Sequence, residues 1–164
     1  MPLKRSIGIV IIFLVVALLI ARYIEREKEK PPLETGIIPP AAEATYTNAS
    51  ADLIRVELPY PGAVVGKEFS VIGRARGTWF FEASFPVKVL DKDGNVLVEH
   101  YAETQPDPVT GEINWMTTEF VPFKGDLKVP ETYIGLVTLV LMKDNPSGEP
   151  EFDASISFPI IVEY

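Results

Sequence analysis

Beyond about residue 51 the side chains alternate with a period of two, and that period confines the chain to extended structure. Phe81, Ala83, Phe85, Val87 and Val89 alternate with Glu82, Ser84, Pro86, Lys88 and Leu90. Ile156, Phe158, Ile160 and Val162 alternate with Ser157, Pro159, Ile161 and Glu163. Successive side chains of a strand point to opposite faces, so each apolar set marks a buried face. Val137, Leu139 and Leu141 alternate with Leu136, Thr138, Val140 and Met142. That segment is apolar on both faces and is expected to be a central strand. Further strands are expected over Leu53–Leu58, Phe69–Arg76, Val96–Ala102 and Trp115–Phe120, which makes seven. The predicted core includes Phe81, Phe85, Val87, Val89, Leu139, Leu141, Phe158 and Ile160.

The punctuation agrees. Pro59-Tyr60-Pro61-Gly62 and Asn145-Pro146-Ser147-Gly148 are turns, and Asp91-Lys92-Asp93-Gly94-Asn95 is a hairpin loop of the Asp-Gly type. Short strands at this spacing predict an all-β chain, an antiparallel β-sandwich of immunoglobulin type. There is no cysteine, so Trp79, Trp115 and the phenylalanines must fill the core without an inter-sheet disulfide. Pro86 and Pro159 cannot donate to a ladder and are expected at edges or bulges.

The N-terminus reads differently. Ile7 to Ala21 contains no polar side chain. The wider window from Leu3 to Ile24 would span ~33 Å as a helix, enough for a bilayer core of ~30 Å. Lys4, Arg5 and Arg22 then sit near the ends, where long basic side chains reach the headgroups. Ala17 and Ala21 have the wrong spacing for a signal-peptidase site, which favours an uncleaved anchor over a removed signal peptide. The expected organisation is a signal anchor over 1–30 with its core at 7–24, a Pro/Ala-rich tether over 31–51, and a folded domain over 52–164. Lys and Arg are more numerous on the C-terminal flank of the apolar run, which by itself would favour the opposite orientation.

Charge separates the two parts. Residues 1–50 carry 6 Lys/Arg and 5 Asp/Glu, whereas residues 51–164 carry 9 and 18. An acidic domain is poorly suited to nucleic acid. One histidine, His100, and no cysteine leave no multi-histidine or thiolate metal site and no thiol nucleophile. The Asp91–Asn95 loop has its glycine too early for an EF-hand and reads as a turn. Asp144, Glu149, Glu151 and Asp153 read as a solvated acidic loop rather than a cation site. No metal and no cofactor are expected, and the chain is read as non-catalytic. The alternative is a cell-wall glycan hydrolase using paired carboxylates.

Several runs, in order along the chain, carry a resemblance. They are Gly73-Arg74-Ala75-Arg76-Gly77, Trp79 through Phe85, Leu90-Asp91 with Gly94-Asn95, Trp115-Met116, Phe120 with Pro122-Phe123, and Asp144 through Gly148. From about Ile54 to Val162 the chain resembles the immunoglobulin-like domain of bacterial spore germination proteins. The resemblance implies an extracytoplasmic module with a binding or scaffolding role, and hence a single-pass protein of the cell membrane with its C-terminal domain outside. No lipobox cysteine is present.

If strand direction alternates, Gly77–Phe80, Glu103–Asn114 and Asp144–Ala154 gather at one end of the sandwich. Loops on a rigid sandwich commonly carry recognition. The residues Arg76, Phe80, Asn145 and Ser147 are the candidate contacts to an envelope protein or cell-wall glycan. Phe80 is expected on the surface because three successive aromatics cannot all face inward in a strand. The first strand starts at the same end, which would aim these loops toward the membrane.

Overall fold

The computed structural model describes Arg22 and residues 42–164. The expected anchor and most of the tether lie outside the described residues. Among the described residues no helix is long and apolar enough to cross a membrane.

Nine strands and two single 3-10 turns make up the domain. They are β1 (Thr45–Thr47), β2 (Ile54–Leu58), β3 (Val64–Val65), β4 (Glu68–Arg76), β5 (Ser84–Leu90), β6 (Val96–Thr104), β7 (Phe120–Lys128), β8 (Gly135–Met142) and β9 (Ser155–Val162). The hydrogen-bonded order is β1-β9-β8-β5-β6-β7-β4-β2, with β3 also against β9. All pairs are antiparallel except β3 with β9. Strand β6 joins the two layers: it pairs with β5 along most of its length and with β7 only at Glu103 and Thr104.

The alternation sets the core. Val71 and Ala75 of β4, Val121, Phe123 and Leu127 of β7, and Ile54 of β2 point inward from one layer. Phe85, Val87 and Val89 of β5, Val137, Leu139 and Leu141 of β8, and Ile156, Phe158, Ile160 and Val162 of β9 meet them from the other. Phe85 stands at the centre. Its ring lies edge-on to Phe123 of the opposite layer at 4.9 Å, to Phe80 at 5.2 Å and to Trp79 at 6.4 Å. Edge-to-face contacts of this kind add to the gain from buried area. Strand β8, apolar on both faces, does lie between β5 and β9.

Pro86 and Pro159 are accommodated at open ladder positions. Pro86 lies one residue beyond the ladder between β5 and β8. The Pro159 carbonyl accepts from the Gly62 N–H at 2.7 Å. A residue's N and C=O point to the same side of a strand, so the missing N–H of Pro159 falls on the outer edge of β9. That edge is covered in two pieces, by β1 over Ser155–Ser157 and by β3 over Ile161–Val162.

Four expectations need correction. The strand expected over Trp115–Phe120 begins where that segment ends, at Phe120, and runs to Lys128. The strand expected from Phe81 begins at Ser84. Phe81 is not core: it is 42% exposed, because Glu82 and Ala83 form a tight turn instead of strand. The sheet also reaches back into the segment read as tether, since Thr45–Thr47 pairs with β9. That pairing changes where the chain enters. Thr45 pairs with Ser157 and Thr47 with Ser155, so β1 runs toward the start of β9. Ala42 lies beside Gly62 in the turn after β2. The chain thus enters the sandwich at the end opposite the β4–β5, β6–β7 and β8–β9 loops, not at their end.

Candidate functional site

The three long connections do gather at one end. The Gly77 N–H donates to the Glu119 carbonyl at 3.1 Å, and the Asp144 N–H donates to the Trp79 carbonyl at 3.1 Å. Gly77 is required there. A Cβ at this position would lie 2.0 Å from the Thr117 carbonyl oxygen and 2.3 Å from that of Trp115. The backbone of the 105–119 loop rests directly on the Gly77–Trp79 turn.

Arg76 fastens this end. Its Nε donates to the Asp52 carbonyl at 3.0 Å and its guanidinium donates to the Thr118 carbonyl at 3.1 Å. The Glu119 carboxylate lies 3.7 Å away. The Phe120 ring receives two guanidinium groups, Arg76 at 4.2 Å and Arg55 at 4.8 Å. A planar cation with a fork of donors suits this combined stacking and hydrogen bonding. Arg76 is therefore largely engaged by its own loops.

Asn145 and Ser147 are engaged in the same way. The Asn145 amide donates to the Glu149 carbonyl and to the Asp153 carboxylate, both at 2.8 Å. Its oxygen accepts from the Ser147 hydroxyl at 2.6 Å, and that hydroxyl accepts from the Glu149 N–H at 3.2 Å. Together they close the 144–153 loop.

Phe80 is not a surface contact. It is 5% exposed and packs on Phe85. Residues 77–79 form a 3-10 turn and residues 81–84 a hairpin turn, so the period-two rule does not apply between them. Trp79 and Phe80 both go inward, and Phe81 goes out. Glu82 and Ala83 have φ of 49° and 65°, and Phe81 and Ser84 exchange backbone hydrogen bonds at 3.0 and 3.1 Å. This is a type I′ turn built without glycine or asparagine.

The end also exposes apolar side chains. Met116 is 78% and Phe152 50% exposed. A shallow groove of about 470 Å³ runs between Trp115, Met116 and Thr118 on one side and Thr78 on the other, with Phe80 in its lining. Thr78 also borders a second depression of about 190 Å³, lined by Trp79, Lys143, Phe152 and Asp153 among others. Sequence reasoning passed over Met116 and Phe152. The signal available was an apolar side chain set among polar ones in an acidic loop, as in Glu112-Ile113-Asn114-Trp115-Met116 and Glu151-Phe152-Asp153.

The acids here are of two kinds. Burial raises the Asp144 carboxyl above its ordinary value; the Asn145 N–H works against this, and the like charge of Glu82 adds to it. Asp107 is lowered, chiefly by the Thr110 N–H, then the Val109 N–H, with Arg74 contributing. Among the described residues no three acidic or histidine side chains converge on a point. Away from this end, the Asp91 carboxylate is used by its own hairpin, accepting from the N–H groups of Asp93 and Asn95, both at 2.8 Å.

No curated protein and no solved structure matches the chain. One family does. The immunoglobulin-like domain of bacterial spore germination matches residues 53–149, which run from the residue before β2 through β8 and into the loop after it. Strands β1 and β9 lie outside the matched residues. Because the match spans more than half the chain and falls on the sandwich itself, the chain belongs to the family of immunoglobulin-like domains of bacterial spore germination.

Proposed function

We propose that this chain is a membrane-anchored binding module of the bacterial cell envelope. An N-terminal helix holds the acidic sandwich outside the cytoplasm, and the sandwich recognises an envelope protein or cell-wall glycan without transforming it. The observation that carries this reading is the division of labour at the loop end. Arg76, Asn145 and Ser147 hold the loops rigid, while Met116 and Phe152 stand exposed on them. A pre-ordered loop surface loses little entropy when a partner covers it. The chain enters at the opposite end, so the loops lead.

The native chain has no cysteine, so one introduced thiol reports its own position. Ser84→Cys at the loop end and Asp93→Cys at the far end are both expected to react with a membrane-impermeant maleimide in intact spheroplasts. Labelling only after lysis would overturn the topology. Recognition is tested by capture from solubilised envelope and by sedimentation with purified cell wall. Met116→Ser with Phe152→Ser is expected to lose both or whichever one occurs, and Tyr60→Ser at the far end to lose neither. The reverse pattern would move the site.

A further inference from the structure

We infer that the loop end takes a cationic polypeptide segment that inserts apolar side chains, in preference to a glycan. This deepens the proposed function and rests on its placement of recognition at the loop end. The groove beside Trp115 and Met116 and the depression beside Phe152 both border Thr78, so that Phe80, Trp115, Met116, Trp79 and Phe152 supply apolar surface on either side of it while Lys143, Glu151 and Asp153 line the depression with them. Charge surrounds it. The segments 77–83, 105–119 and 143–154 carry eight carboxylates and one basic side chain, Lys143. Of the arginines near this end, Arg55 and Arg76 already face Asp52 and Glu119 and stack on Phe120, and Arg74 faces Glu57 and Asp107. They do not neutralise Glu82, Glu151 or Asp153, all of which are exposed.

An apolar centre inside a charged rim is the usual anatomy of a protein–protein contact, where the centre supplies affinity and the rim steers and selects. A rim of this sign raises the local concentration of a basic segment and repels a polyanion. Wall polymers bearing carboxylates or phosphates would meet like charge at every loop. A neutral sugar would gain nothing from the rim. A segment that alternates Lys or Arg with Leu or Phe satisfies both parts of the surface at once.

The test is a fluorescence-anisotropy titration of the full chain with three probes: an amphipathic peptide of lysine and leucine, its glutamate–leucine counterpart, and a soluble chito-oligosaccharide. The lysine–leucine peptide is expected to bind best, and its affinity to fall as salt rises from about 0.1 M to about 0.5 M. Met116→Ser with Phe152→Ser is expected to weaken it about tenfold or more, and Glu82→Lys with Glu151→Lys to weaken it similarly. Asp93→Lys with Glu131→Lys, an equal change of charge at the far end, is expected to stay within about twofold. Equal binding by the loop-end variants and wild type would overturn the inference, because the peptide would then be sensing net charge alone. A preference for the oligosaccharide that the same variants abolish would also overturn it, while leaving loop-end recognition intact. Oligosaccharide binding insensitive to all loop-end variants would remove both.

Discussion

At the scale of single residues, two neighbouring positions pull stability in opposite directions. Gly77 is a point of backbone contact between two loops, and the atoms a side chain would meet are carbonyl oxygens that cannot swing aside. Gly77→Ala is expected to cost about 3 kcal/mol or more, in the upper range for overpacking. Glu82 and Ala83 hold left-handed backbone that L-residues adopt at a cost of roughly 1 kcal/mol each. Replacing the pair by Asn-Gly, the preferred pair for a type I′ turn, is expected to stabilise the domain by about 1 kcal/mol and raise Tm by about 4 °C. Urea denaturation of the two variants beside wild type checks both signs. A stable Gly77→Ala protein would mean that the 105–119 loop does not rest where it is described.

At the scale of elements, the strands that alternate cleanly were legible, and β7, with a proline and a glycine in its run, was not. Strands β5, β8 and β9 announce themselves because every inward position is Phe, Val, Leu or Ile. Strand β7 hides. Its inward run of Val121, Phe123 and Leu127 is broken by Gly125, which is small because Ala102 of β6 passes 3.2 Å from where its Cβ would be. Pro122 in the same strand also reads as a turn. The candidate contacts fared by kind: Arg76, Asn145 and Ser147 are at the loop end, but their polar atoms are engaged in loop closure, a use invisible without the fold. Phe80 was misplaced by applying a strand period to two turns. Strand β1 was illegible because three residues, Thr45–Thr47, carry no period at all. It matters nonetheless, since it covers the β9 edge over Ser155–Ser157. An uncovered edge invites pairing with a second chain. A chain beginning at residue 49 is expected to self-associate more than one beginning at residue 42, as read by analytical ultracentrifugation across a concentration series. Equal monomer content would show that β1 does not protect that edge.

At the scale of the whole molecule, surface carboxylates set the response to acid. Glu68 is lowered chiefly by its hydrogen bond from Lys128, Asp91 by Asn95, Asp107 by the Thr110 N–H, and Asp126 by the Ser70 hydroxyl. A carboxylate lowered in the fold stabilises it at pH above the unfolded value, and that contribution disappears as pH falls through the folded value. Asp144 has the opposite sign, since its raised value favours the fold while protonated and loses that advantage as pH rises through its folded value. With four groups lowered and one raised, the urea midpoint is expected to fall as pH drops below about 4, and Asp91→Asn to make that fall shallower. A midpoint independent of pH in this range would contradict the hydrogen bonds described. The entry of the chain alongside Gly62, at the end away from the loops, has a mechanical meaning. A pull between the loop end and residue 42 acts along the axes of β1 and β9, so it shears their short ladder and strains its hydrogen bonds together instead of unzipping them singly. Endurance under such a pull is set by how slowly the ladder yields, and β1 becomes the fuse through which tension reaches the sandwich.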